Sequence, residues 1–256
     1  MPSDVPITDQ LDRIAELMTK VEGLGSVELK VTLADEQRLA LADLGLDPLN
    51  AVIRQVFFVD TPELALFQAG VVPRARRTQN TDDDTVVKLR PVVAADLAPE
   101  FHDSPNMKLE LDITRDSEVI SASMKGKRTA GTLKDTVRGK LPIGKLFTKE
   151  QRAFFSAIAP SEIGWDDLVF LGPITVIKLK TPVEGLSTKL TVEVWFYPGE
   201  DPLIELSTTT PTESLAKTAV EAIAFVRGRG LHAIGQQEPK TRKALEYLVG
   251  HRVTKA

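Results

Sequence analysis

The residues best suited to chemistry come in pairs two apart: Glu28/Lys30, Arg74/Arg76, Lys88/Arg90, Glu110/Asp112, Lys125/Lys127 and Lys178/Lys180. On an extended strand, positions i and i+2 project from one face, so each pair sets two charges side by side. The residues between and beside them are mainly apolar or small; in SVELKVTL (26–33), Val27, Leu29, Val31 and Leu33 alternate with Glu28 and Lys30. Glu193 and Glu205 add a carboxylate to each arm of a later hairpin pattern. Clustered lysines and arginines neutralise phosphate oxygens, and carboxylates hold a divalent cation that bridges them. Two arrangements are open. With the charged face in water, this is an ordinary half-exposed antiparallel sheet, which alternation alone favours. With the sheet closed and the charges inward, the lumen suits a polyphosphate.

The elements that must position these residues follow from periodicity and turn residues. Leu11, Ile14, Leu17, Met18 and Val21 space an amphipathic helix before the first strand, and a second helix over 34–46 stops at Gly45. Strand, Thr-Pro turn, short segment, Gly turn and strand follow over 51–78, then a strand over 85–92. Residues 107–115 and 119–129 form a hairpin pattern. The stretch 131–165 turns helical, with a Thr148–Gln151 capping box and an apolar cluster of Phe147, Phe154 and Phe155. It packs outside the sheet, forms a lid, or makes a dimer contact. Strands return at 174–181 and in a hairpin over 189–209 turning at Pro198–Pro202. Thr210, Pro211 and Glu213 supply an N-cap, an N1 proline and an N3 glutamate for a helix ending near Gly228, and a last helix spans 239–250. No repeat or linker divides the 256 residues, which reads as a single domain over 1–256.

Composition bounds the function classes. Net charge is −4, with no global basic field to advertise nucleic acid or an anionic membrane, so any polyanion site must be local. The absence of cysteine excludes disulfides, thiolate metal sites and a cysteine nucleophile. The opening MPSDVPITDQ lacks signal-peptide character and no run suits a membrane helix, so a cytoplasmic protein is expected. His102, His232 and His251 are too scattered for a metal triad, and RGRG at 227–230 reads as a helix C-terminus rather than an RNA element. Trp165 and Trp195 are candidates to stack a base or thiamine ring; Trp195 shares the face of Glu193, which places it in the lumen lining, with a core or mouth-plugging role as the equal alternative. Walker, G-x-S-x-G and dinucleotide glycine signatures are absent.

Taken in order, these segments resemble the CYTH family, the triphosphate tunnel metalloenzymes. SVELK is similar to that family's first strand, E-x-E-x-K, and VFFVDTPELALFQAGVVPRARR resembles its Asp-Thr-Pro turn, Gly and R-x-R strand. VVKLR, KLELD, VIKLK and VEVWFYPGEDPLIELS resemble the later basic and acidic strands, so the likeness covers roughly 26–209 with a helical insertion near 131–165 and C-terminal helices over 211–250. The resemblance implies an α+β fold, a closed antiparallel β-barrel of about eight strands with helices packed outside. It also implies a divalent-metal-dependent phosphohydrolase acting inside the tunnel on inorganic triphosphate, thiamine triphosphate or a nucleotide. The phosphate ligands would be Lys30, Arg74, Arg76, Lys88, Arg90, Lys125, Lys127, Lys178 and Lys180. Magnesium or manganese would be held by Glu28 and Glu205, with Glu110, Asp112 and Glu193 as further carboxylates; Glu28, Lys30 and Arg76 would be catalytic. The partner is then a small polyanion, with neither nucleic acid nor membrane.

The sequence departs from the family at Ser26 and Ser207, each standing where a glutamate is expected. Divalent affinity follows the number and charge of oxygen ligands, so metal binding is weakened. Three readings follow: a phosphohydrolase, a module that captures a polyphosphate or nucleotide without fast turnover, or a barrel whose charges merely pair. The third is disfavoured, because an unpaired cationic lining is costly to bury without an anion. A cyclase has no base-recognition signature in its support.

Overall fold

The computed structural model describes residues 21, 24–33, 44, 46–114, 117–231 and 240–251. The helices expected before the first strand and over 34–46 lie almost wholly outside these residues, as does His232. Nine strands form a closed barrel: β1 (Ser26–Thr32), β2 (Val52–Asp60), β3 (Val71–Thr78), β4 (Asp83–Leu89), β5 (Met107–Ile113), β6 (Glu118–Arg128), β7 (Val169–Thr181), β8 (Leu190–Phe196) and β9 (Leu203–Thr210). Around the barrel their order is β1-β5-β6-β4-β3-β2-β7-β8-β9. The expected architecture is present, with one difference in direction. β1 runs parallel to β5, pairing Ser26 with Glu110 and Glu28 with Asp112, and antiparallel to β9. Alternation fixes which face a side chain takes but is blind to strand direction, so one parallel pair leaves no mark on it.

The short helices α1 (Ala65–Gln68) and α2 (Pro99–His102) lie in connections between strands. The insertion contributes α3 (Thr132–Val137), α4 (Ile143–Leu146) and α5 (Lys149–Ile158). Its residues Leu133, Leu146, Phe147, Phe154 and Phe155 form one buried cluster with Ala75, Val87, Ala122 and Met124, the outward face of β3, β4 and β6. Trp165 stacks into the same cluster, 4.6 Å from Phe147 and 4.2 Å from Phe155, so it is an outer-core residue. The Thr148 capping box is present. Gly126 is where the insertion comes closest: a Cβ there would lie 2.5 Å from Gln151 Oε1, so α5 can seat on β6 only over a glycine.

α6 (Leu215–Gly228) covers the outward face of β1, β7, β8 and β9, with Phe225 packed among Leu33, Leu179, Leu190, Val192, Ile204 and Leu206. Its start differs from expectation. β9 runs through Thr210, a 3₁₀ turn occupies Thr212–Ser214, and α6 begins at Leu215. Thr210 pairs with Val27 of β1 in the sheet instead of capping a helix. The last helix, α7 (Lys240–Gly250), packs differently from the others: Ala244 and Leu245 join Val56, Phe58, Val176, Trp195 and Leu203. Val56, Val176 and Trp195 line the lumen, so α7 seats on inward-facing residues of the barrel.

A charged tunnel as the candidate functional site

The barrel encloses a cavity of about 1470 Å³ lined by thirteen lysines and arginines against five carboxylates. The strand pleat explains it: one residue in two turns inward, and the inward set on most strands is the charged one. Every cation expected from the sequence lines this cavity: Lys30, Arg74, Arg76, Lys88, Arg90, Lys125, Lys127, Lys178 and Lys180. Glu28, Glu110, Glu193 and Glu205 line it too, while Asp112 lies fully buried in the wall. The charged faces therefore point inward, and the solvent-facing arrangement does not occur.

The two signs are segregated around the barrel. Carboxylates concentrate on the contiguous arc β8-β9-β1-β5, and the arginines of the barrel wall stand on β2, β3 and the end of β4. On the acidic arc each carboxylate is already matched. Lys30 Nζ lies 2.9 Å from Glu28 and 2.8 Å from Asp112. Asp112 also takes Lys88 at 3.1 Å and Arg90 at 3.4 Å. Glu110 accepts from Lys108 and, at 3.3 Å, from the Ser26 hydroxyl. Glu193 takes Lys178 at 3.2 Å and Lys240 at 2.6 Å, and Glu205 takes Lys240 at 2.6 Å.

These contacts set the ionisation of the site. Burial alone would push the Lys30 ammonium down, but Glu28 and Asp112 outweigh it and hold it well above the ordinary lysine value. Burial works against the Asp112 carboxylate as well, and Lys30, Lys88 and Arg90 overcome it and hold it far below the ordinary range. Glu193 is held far down in the same way by Lys240 and Lys178. The basic arc behaves in the opposite sense. Burial, and then the neighbouring Arg76, lower the Arg74 guanidinium to about 10. Lys88 and Lys178 are lowered too, chiefly by burial. Arg74 has no carboxylate partner among the described residues, and its buried Nε, like that of Arg54, has no hydrogen-bond acceptor. Arg76 by contrast is gripped by Asp84, through Nη2 at 2.6 Å and Nε at 2.7 Å.

Five charged lining residues were not anticipated: Lys108, Asp84, Arg54, Lys240 and, beside Lys240 on α7, Arg242. Lys108 sits two before Glu110, so the pairing rule that found the others applies to it equally. Asp84 lies in an acidic run that reads as a loop but whose last residues enter β4. Arg54 is a lone charge beside Val56 on its face, without the paired signature. Lys240 reaches the lumen from a helix, where strand periodicity has no purchase.

The expected metal ligands do not assemble into a metal shell. Among the described residues, no three acidic, histidine or cysteine side chains converge on a point. Glu28, Glu193 and Glu205 each face an ammonium where a divalent ion would need a free oxygen. Ser207 is buried opposite Lys30 in the β1–β9 ladder, and Ser26 spends its hydroxyl on Glu110. The donor set as arranged does not fit magnesium or manganese.

No family model and no curated protein matches the chain. Solved structures do. A candidate adenylate cyclase from Bacillus halodurans matches at TM-score 0.61 and 12% identity, over 86% of this chain and 98% of that one. A candidate adenylyl cyclase from Hippeastrum, described as having a dominant triphosphatase activity, matches at TM-score 0.60 and 16% identity, over 87% of this chain and 96% of that one. The chain shares their fold, a closed barrel with helices outside that matches a triphosphate tunnel.

Proposed function

We propose that this chain is a triphosphate-handling tunnel, taking up tripolyphosphate or the triphosphate group of an organic compound and hydrolysing its terminal anhydride. The observation that carries uptake is Arg74: a guanidinium with a buried, unpartnered Nε and a lowered pKa, facing a lumen rich in further cations. Such a group is satisfied by an anion that supplies oxygens from inside the cavity. Arg54, Arg74 and Arg76 would grip one end of the chain of phosphates, with Lys88, Arg90, Lys125 and Lys178 along it. Hydrolysis is supported by the same lining, because phosphoryl transfer depends on positioning and on stabilising charge at the equatorial oxygens. The Hippeastrum neighbour's triphosphatase activity points the same way.

A second reading, capture without turnover, has an observation of its own. Ser26 and Ser207 replace acidic positions, and the remaining carboxylates are spent on lysines. Phosphate release from tripolyphosphate and from ATP, with magnesium, manganese or EDTA, separates the two when thermal shifts are recorded on the same samples. Release with stabilisation supports the hydrolase, stabilisation alone the capture module. A melting temperature unmoved by any triphosphate overturns both.

A further inference from the structure

Lys240 is delivered to the lumen by α7, whose Ala244 and Leu245 are fully buried against Val56, Val176 and Trp195. Its ammonium lies 2.6 Å from Glu193 Oε2 and 2.6 Å from Glu205 Oε1, and 5.4 Å from the centre of the Trp195 ring. Glu193 is held in place from the other sides by the Trp195 indole N–H at 3.1 Å and by Lys178 at 3.2 Å. The two carboxylates stand directly opposite each other in the β8–β9 ladder, the spacing at which one cation can bridge them. In the register of the barrel this is an acidic pair, and the cation it holds is covalently part of the chain.

We propose that the Lys240 ammonium takes the place of a divalent ion between Glu193 and Glu205, so that these carboxylates hold no metal while α7 is seated. A buried ammonium between two carboxylates must leave before another cation enters, and α7, anchored by Ala244 and Leu245, keeps that ammonium at hand to compete for the pair. The lysine also carries one charge where a divalent ion carries two, so a polyanion meets a weaker cation at this wall, fixed in position without any need for dissolved metal. The inference goes beyond the proposed function and holds whether or not the lumen takes a triphosphate.

The test is binding of Mn²⁺ alone to the full chain, followed by the electron paramagnetic resonance of free Mn²⁺. The variants are K240Q, K240R, E205Q and K240Q/E205Q. Wild type and E205Q are expected to bind Mn²⁺ alike. K240Q should bind about tenfold tighter or more, as an acidic pair freed of its bridging cation offers Glu193 Oε2 and Glu205 Oε1 to a divalent ion. K240Q/E205Q should return to the wild-type level, and K240R, which keeps the charge, should stay there. Mn²⁺ affinity in wild type that drops in E205Q overturns the proposal, as does K240Q binding no tighter than wild type. If K240Q fails to fold, the comparison of wild type with E205Q decides alone. Stabilisation by tripolyphosphate in EDTA is a separate readout, whose failure would count against the tunnel function and leave this result standing.

Discussion

Asp112 is fully buried yet faces Lys30, Lys88 and Arg90, and its carboxylate is what lets three positive groups share one wall. D112N should therefore lower stability by about 3–5 kcal/mol at neutral pH, the cost of leaving buried charge uncompensated, read from urea melts. The pH dependence has a defined sign. Asp112 and Glu193 have folded pKa values depressed below 3.8 and 4.5, so their contribution is full above those values and lost as pH falls through the folded ones. Lys30 is raised above 10.5, so its contribution is full below that value and lost as pH rises through the folded one. Melting temperature against pH should show a plateau between about 5 and 10 that falls at both ends, with a shallower acid limb in D112N. Arg74 belongs to binding instead. R74Q should weaken triphosphate affinity by roughly 10–100-fold, the worth of a charge-assisted contact of about 1.5–3 kcal/mol, with little change in unliganded stability. Affinity equal to wild type would remove Arg74 from the site. Nine inward cations were legible because each sits two residues from another charge on a strand, a mark that Lys108 also carries beside Glu110; Lys240 and Arg54 were not, since a helix turn and a lone arginine leave no such mark.

At the level of elements, the insertion is held to the barrel by Gln151, which is fully buried. Its amide nitrogen donates to the Met124 carbonyl at 3.0 Å, and its oxygen accepts from Thr85 at 2.8 Å and from the Thr148 backbone at 2.9 Å. One side chain thus closes the cap of α5 and bonds both β4 and β6. Q151A should cost about 2–4 kcal/mol, from orphaned buried groups and the lost cap together, whereas T148A should cost about 1 kcal/mol, the cap alone. Equal losses in chemical denaturation would show that Gln151 acts only on its own helix. The Asp-Thr-Pro turn has a comparable explanation: Asp60 accepts from the amides of Thr61, Leu66 and Phe67, folding α1 back before β3. These elements were readable because capping and turn chemistry is local. The extent of β7 was not. Gly172 and Pro173 look like breakers, yet the strand runs through them from Val169, where the register with β2 shifts between Val56 and Phe58. Nor could Thr210 be placed from sequence, because the same Thr-Pro-Thr-Glu run serves a strand end followed by a 3₁₀ turn.

Across the whole molecule the charge is arranged against its own total. The chain carries −4, while its lumen gathers thirteen cations against five lining carboxylates. The lumen is therefore far more positive than the composition implies, and a polyanion is drawn to the tunnel although the chain as a whole is negative. Low-dielectric walls around a cavity of net positive charge focus its field, so entry should be steered and sensitive to ionic strength. Closure of the barrel is what makes this possible, since the same strands laid flat would let water screen each lysine separately. Affinity for tripolyphosphate should accordingly fall by about tenfold or more between about 50 and about 500 mM salt, a range over which the Debye length shrinks to a few ångströms. Pyrophosphate, with fewer charges and less reach along the lining, should bind more weakly and lose less with salt. Calorimetry across a salt series reads both slopes. Equal slopes for the two anions would mean that a single local contact, and not the collected field of the tunnel, governs binding.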